Sequence, residues 1–249
     1  MASEAGGAGA PSVSPPSPAT AETVARILAV LPQASTSPAL AETADGRRWV
    51  LKFQGAGPGP FGLLTECLAL AIAAAFGAPV PAARPLHLAE GFPWMAGTDE
   101  FDAMVQRSPG WNLGIAWIPD ARPATAADLA GGRELAAIAA SDCFLHNIDR
   151  TQRNPNLLVA GGRLHAIDYD ACLYLSRALG PGRPPSTALP AGHLLAELNL
   201  PLPVPPAMDF PALVAPLPAP WIEAAGVDRG TIAMRLAAAW DAWRAALHP

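Results

Sequence analysis

Between Trp49 and Ala83 the chain carries only two formal charges, Lys52 and Glu66. The stretch reads RRWVLKF, then GAGPGP, then FGLLTECLALAIAAAFG. The first piece alternates as a strand does: Trp49, Leu51 and Phe53 point one way, Val50 and Lys52 the other. The last piece is too long for a strand and meets Gly77 and Pro79, which predicts a helix that ends there. Glu66 falls on its apolar row Leu63, Glu66, Leu70. Elements this apolar must be covered by others, and a carboxylate buried alone is costly. Two arrangements are open. Each head group reaches water at an edge, the lysine snorkelling, or the two charges pair. Lys52 is the only lysine among the chain's 16 lysines and arginines.

The rest of the composition sets bounds. In 249 residues the apolar fraction is 51% and the charged fraction 15%, enough for a sizeable core. The net charge of -5 is spread without a basic stripe, which argues against a nucleic-acid or membrane-surface partner. Cys67, Cys143 and Cys172 form no C-x-x-C pair, so they read as reduced, core-filling residues and not as a zinc or disulfide framework. No basic segment followed by an apolar one opens the chain, which predicts no signal peptide. The run from Cys67 to Val80 is too short to span a bilayer. A soluble, cytoplasmic protein is expected.

The text divides into three parts. Residues 1–20 are small residues and proline, an expected disordered tail. Residues 21–118 read as a small sheet with one helix: strands in VARILAVL and ALAETADGRRWVLKF with a hairpin at Asp45-Gly46, then LHLAEGF and LGIAWI. Residues 119–249 turn helical. Thr125 with Asp128 suggests a capping box. RELAAIAASDCFLH reads as a helix, and NLLVAGGRLHAID as two strands about Gly161-Gly162. In the final helix Ile232, Leu236, Trp240, Trp243 and Leu247 share a face. Residues 180–220, rich in proline and leucine, give no clear elements. The fold class expected is α+β.

A candidate catalytic segment lies in DCFLHNIDRTQRNPNLLVAGGRLHAIDYDACLY. Asn154 follows Asp149 by five positions, then come a predicted hairpin and Asp168. A hairpin brings its two ends together, so Asn154 and Asp168 should sit side by side with Asp149 facing them. An amide oxygen and a carboxylate are hard ligands suited to Mg²⁺. A further carboxylate accepts the proton of an attacking hydroxyl. The spacing D-x-x-x-x-N, with an aspartate after the next hairpin and a strand lysine and helix glutamate upstream, is that of kinase chemistry. Lysine suits a phosphate clamp because it is a compact point charge.

On these residues the chain resembles the HipA-like kinases. SDCFLHNIDRTQRNPNLLV is similar to that family's catalytic loop, with Asn147 and Asp149 opening it. RRWVLKF with LLTECLALAIAAAFGAPVP is similar to its lysine strand and glutamate helix. The likeness covers about residues 24–175 and is nearest to the short, single-domain members. It implies a two-lobed protein-kinase-like fold, with a β-rich N-lobe carrying one main helix and a helical C-lobe. It also implies ATP, Mg²⁺ and phosphoryl transfer to a serine or threonine hydroxyl. Lys52 would hold ATP phosphates and Glu66 would hold Lys52. Asp149 would be the base, and Asn154 and Asp168 the metal ligands. Ser35, Thr36 and Ser37 would form the phosphate-binding turn. That turn lacks glycine, and Asp168 is followed by Tyr-Asp, so a Phe-Gly type of switch is not implied.

Other readings stay open at this level. A non-catalytic, kinase-shaped nucleotide-binding module is one, and a small-molecule or lipid kinase is another. GAGPGP reads as a linker and not as a dinucleotide loop. Asp170 is a candidate additional metal carboxylate. His146 reads as a packed loop histidine. Arg150 is either a structural ion-pair former or a phosphate contact.

Overall fold

The structure is a computed structural model and describes residues 22–31, 37–94, 98–130, 132–173, 175, 185–198, 200–203 and 207–247. The expected tail, residues 1–20, lies outside these, as do Ser35 and Thr36. The chain reverses at Asp45-Gly46, where Gly46 takes a φ of 81° that other residues resist. This turn joins β2 (Ala39–Thr43) to β3 (Arg48–Lys52) in the register Ala39↔Leu51 to Glu42↔Arg48. β1 (Val24–Val30) adds to the outer side of β2. β4 (Ala83–Leu88) and β5 (Gly110–Ala116) complete an antiparallel sheet of order β1-β2-β3-β5-β4.

Each face of this sheet is covered by a helix, which accounts for the alternation in β3. Trp49, Leu51 and Phe53 pack with Leu86, Leu88, Phe101, Met104 and Val105 in one cluster. The last three belong to α2 (Asp99–Gln106). Leu113 and Ile115, with Val50 against them, face a second and larger cluster that contains α1 (Gly59–Ala75). Lys52, on the same side as Val50, therefore points toward α1.

α2 corrects the expectation of one helix before residue 118. Its signals were present: Thr98 accepts from the Phe101 N–H, and Asp99, Glu100 and Asp102 fill the first turn. Phe101, Met104 and Val105 are spaced so as to bury one stripe. α1 begins earlier than expected, inside GAGPGP, with Pro60 in its first turn. Its end is a Schellman arrangement, with Gly77 N–H donating to Ala74 O and Ala78 N–H to Ala73 O. Most of its length is buried on every side. Truncating a side chain such as Leu64 or Leu68, both 0% exposed, to alanine should cost about 2–5 kcal/mol.

α1 is sandwiched between that sheet and the helices that follow it: α3 (Arg133–Leu145), α4 (Phe210–Val214) and α5 (Ala219–Ala224). α6 (Arg229–Leu247) packs on α4 and sends Trp240 and Trp243 toward Phe76 and Phe144. Ile232, Leu236, Trp240 and Trp243 are buried as read from the sequence. β7 (Leu157–Ala160) and β8 (Arg163–Ala166) form the expected hairpin about Gly161-Gly162, and a short β6 (Arg122–Pro123) joins β7. Thr125 and Asp128 form a reciprocal capping box, on a 3₁₀ turn. The fold is thus mixed α+β, with an antiparallel five-stranded sheet and six α-helices among the described residues. The three cysteines are free and buried, and burial pushes the Cys67 thiol up to about 12 and the Cys143 thiol up to about 11. No described helix is long and apolar enough to cross a membrane.

Candidate functional site

Lys52 stands at the end of β3 and Glu66 in the middle of α1, so the packing of α1 on the sheet brings them together. The Lys52 Nζ lies 2.7 Å from Glu66 Oε1. It lies equally close, 2.7 Å, to Asp168 Oδ1, and 3.9 Å from Asp170 Oδ2. The paired arrangement is therefore the one adopted, and the ammonium is only 9% exposed as a residue. Burial works against its charge. The carboxylates of Glu66, Asp168 and Asp170 outweigh that effect and hold its pKa above the ordinary lysine value. Glu66 behaves oppositely: burial pushes its carboxyl up to about 7, despite the Lys52 ammonium. One ammonium shared among several carboxylates cannot compensate all of them, and the most buried acid keeps its proton most readily.

Asp168 follows β8 and adopts a φ of 57°, a left-handed conformation that aspartate tolerates better than most residues. The Ile167 N–H donates to Asn156 O and so extends the hairpin to the site. Asp149 sits on the loop after α3. Its Oδ2 accepts from Asn154 Nδ2 at 2.7 Å and from Asn156 Nδ2 at 3.0 Å. Asp149, Asp168 and Asp170 present oxygens within 4.8 Å of one another. Asp170 is thus the third member of the acidic group, and its carboxyl is raised by burial and then by the neighbouring Asp168. Asn154 shares the cleft with Asp168, but its amide nitrogen is spent on Asp149. Asn156, which makes the parallel contact, was not singled out from the sequence.

These groups line a cleft of about 920 Å³. Its upper wall comes from Val50, Ile115, Ala116 and Trp117, and its floor from Leu157, Leu158 and Ile167. Leu31 and Pro38 also line it, joined by the Leu31 N–H to Pro38 O bond of 2.8 Å. Ser37, beside Pro38, holds a φ of 45°. A smaller cavity of about 300 Å³ lies between residues 124–129 and 194–198 and shares Pro155 with the cleft. It lacks the convergent charges, so the larger space is the candidate site.

Behind the cleft is a second charged group that contains no solvent-exposed atom to speak of. Asp142 in α3 and Arg150 on the Asp149 loop have fully buried side chains, joined at 2.6 Å from Nε to Oδ2. The Arg150 guanidinium also donates to Pro155 O and Asn156 O and lies over the Tyr169 ring. Arg150 is therefore a structural ion-pair former, fully buried behind the residues that line the cleft and not itself among them. His193 Nε2 lies 3.1 Å from Asp142 Oδ2. Burial alone would raise the Asp142 carboxyl. Arg150 and the His193 hydrogen bond outweigh it and leave the pKa below its ordinary value. His146 ends α3 in a left-handed conformation, half-buried, with its backbone N–H capping the helix. A search of known families and of curated proteins returns no match for this chain.

Proposed function

We propose that the chain is an ATP-dependent phosphotransferase of HipA-like kinase type. On this reading residues 21–118 form an N-lobe and residues 119–249 a helical C-lobe around the cleft. The observation that carries it is Lys52, held 2.7 Å from both Glu66 and Asp168 where Asp149 and Asp170 converge. The donor set fits Mg²⁺. It consists of hard oxygens, with one ammonium against the carboxylates of Glu66, Asp149, Asp168 and Asp170, so a cation is what the group lacks. Bound with ATP, Mg²⁺ would neutralise charge on the phosphoryl group. Asp168 and Asn154 would hold it, with Asp170 beside them.

The protein's own residues divide the remaining work. Lys52 offers its ammonium to phosphate oxygens. Glu66, buried behind it, keeps that ammonium aimed into the cleft. Ser37, with Ser35 and Thr36, contributes hydroxyls to the phosphate end, as the family resemblance implies. Asp149 takes the proton of the acceptor hydroxyl. Both amide donors meet its Oδ2, so Oδ1 is the oxygen assigned to that proton. The acceptor proposed is a serine or threonine of a protein. The free, buried cysteines fit a cytoplasmic enzyme.

The test is incubation with γ-labelled ATP and Mg²⁺, alone and with cell lysate, followed by mass spectrometry of labelled species. A labelled protein serine or threonine is expected. Asp149→Ala should lower turnover by about 10²–10⁴-fold and leave nucleotide-dependent thermal stabilisation nearly intact. Asp168→Ala should remove the Mg²⁺-dependent part of that stabilisation. Full transfer by Asp149→Ala sinks the assignment of the base. A sugar, aminoglycoside or lipid as the only product overturns the protein-kinase reading. No stabilisation by any purine nucleotide at millimolar concentration favours the non-catalytic module.

A further inference from the structure

The loop that carries Asp149 is held from beneath by the buried group at Asp142. Asn147 Nδ2 donates to Asp142 Oδ1 at 3.1 Å, and Asn147 Oδ1 accepts the N–H of Asp149 itself at 3.1 Å. Arg150, the next residue, is anchored on the same carboxylate. Asp142 therefore fixes the loop on both sides of Asp149. The remaining contact to Asp142 comes from far along the chain. His193 is 4% exposed and lies in a segment that pairs with this loop: the Leu194 N–H donates to Arg150 O at 2.8 Å, and Thr151 and His193 form an antiparallel bridge.

The tautomer of His193 follows from its neighbours. The Leu195 N–H donates to Nδ1 at 3.1 Å. A backbone amide can only donate, so Nδ1 carries no proton and Nε2 does. The Nε2–H then donates to Asp142 Oδ2. His193 is neutral in this arrangement, and it completes the hydrogen bonds of a carboxylate that Arg150 and Asn147 only partly satisfy. A buried carboxylate with an empty lone pair would turn to find another donor, and the groups bound to it would turn with it.

We infer that His193 is a positioning residue for Asp149, acting through Asp142, Asn147 and Arg150 to set the direction of the loop. The inference rests on the proposed function in so far as it names Asp149 the base. Placement of a reacting group to within an ångström governs turnover more than binding, so loss of His193 should act on kcat and spare the nucleotide.

The test compares His193→Ala, His193→Gln and His193→Asn in the full chain, each checked for cooperative melting. The carboxamide nitrogen of glutamine reaches the position of Nε2 and can donate to Asp142. Asparagine reaches only the position of Nδ1. His193→Ala should lower kcat about tenfold or more with KM for ATP changed less than about twofold. Glutamine should restore most of kcat and asparagine should not. Hydrogen exchange at the amides of residues 147–151 should quicken in the alanine variant and return toward the parent rate with glutamine. An unchanged kcat in a folded alanine variant, or equal rescue by asparagine, overturns the inference while the proposed function stands. If the parent protein transfers no phosphoryl group to any acceptor, the proposed function falls and amide exchange decides alone. Faster exchange that glutamine reverses upholds the role of His193 in holding the loop, and unchanged exchange overturns it.

Discussion

Two groups of charges sit on either side of the Asp149 loop, and they solve burial in opposite ways. Around Asp142 the charges balance: one carboxylate, one guanidinium and a neutral imidazole, all withdrawn from solvent. Around Lys52 they do not: one ammonium faces Glu66, Asp168 and Asp170, and the two aspartates keep about a third of their side chains exposed. A balanced, sealed group gains nothing from a ligand. An unbalanced one that opens on a cleft is relieved by a cation. The first kind of site holds a fold in place, and the second is the kind on which chemistry is built.

The largest effect expected from this contrast is on stability. Arg150→Met leaves the Asp142 carboxylate buried without its cation and should cost about 3–5 kcal/mol in urea unfolding. Lys52→Met should cost less than half as much, because Glu66 can keep a proton and the aspartates can reach water. Equal losses would mean that the two groups are not different in kind.

A smaller effect is on pH dependence. Folded Glu66 holds its proton up to about 7, whereas the unfolded chain releases it near the ordinary 4.5. Over that interval the folded state binds more protons, so its stability falls as pH rises. Asp142 gives the reverse slope: its stabilisation is present above the ordinary 3.8 and is lost as pH falls through the lower folded value. Unfolding free energies between pH 4.5 and 7 should therefore show a downward slope that Glu66→Gln flattens. A slope unchanged by that substitution removes Glu66 as its source.

The smallest effect concerns Asp170, which adds a carboxylate to a group already short of cations. Asp170→Asn should raise the melting temperature of the metal-free protein by about 1–2 °C at neutral pH. A fall in melting temperature would show that its charge is compensated after all.

The two groups also differ in how far they could be read from the sequence. Lys52 and Glu66 stand out because they are the only charges in a long uncharged stretch, and apolar periodicity gives each its face. The Asp149, Asn154 and Asp168 set is legible because a hairpin with two glycines must return the chain to its starting point. The balanced group was not legible. Arg150 could be named but not oriented, since nothing nearby shows which way a loop arginine turns. His193 bonds to a residue 51 positions away, from a proline-rich segment without periodicity. Asn156 follows Pro155 directly, and nothing in the neighbouring text marks it as a partner of Asp149. α2 was missed for a different reason. Its cap and stripe are present but short, and the second face of the sheet that it covers is a demand of the tertiary structure, not of the local text.

The isolation of Lys52 has a use outside the chemistry of the cleft. Its side-chain amine is the only one the chain possesses, and it is locked between carboxylates with 9% of the residue exposed. Apart from the chain terminus, an acylating reagent has one place to go, and a protease that cuts after lysine has one bond to find. Both reactions should be slow in the folded protein and fast once β3 parts from α1. A single cut or a single mass increment thus becomes a clock for the opening of this one seam, read from the unaltered chain without any introduced label.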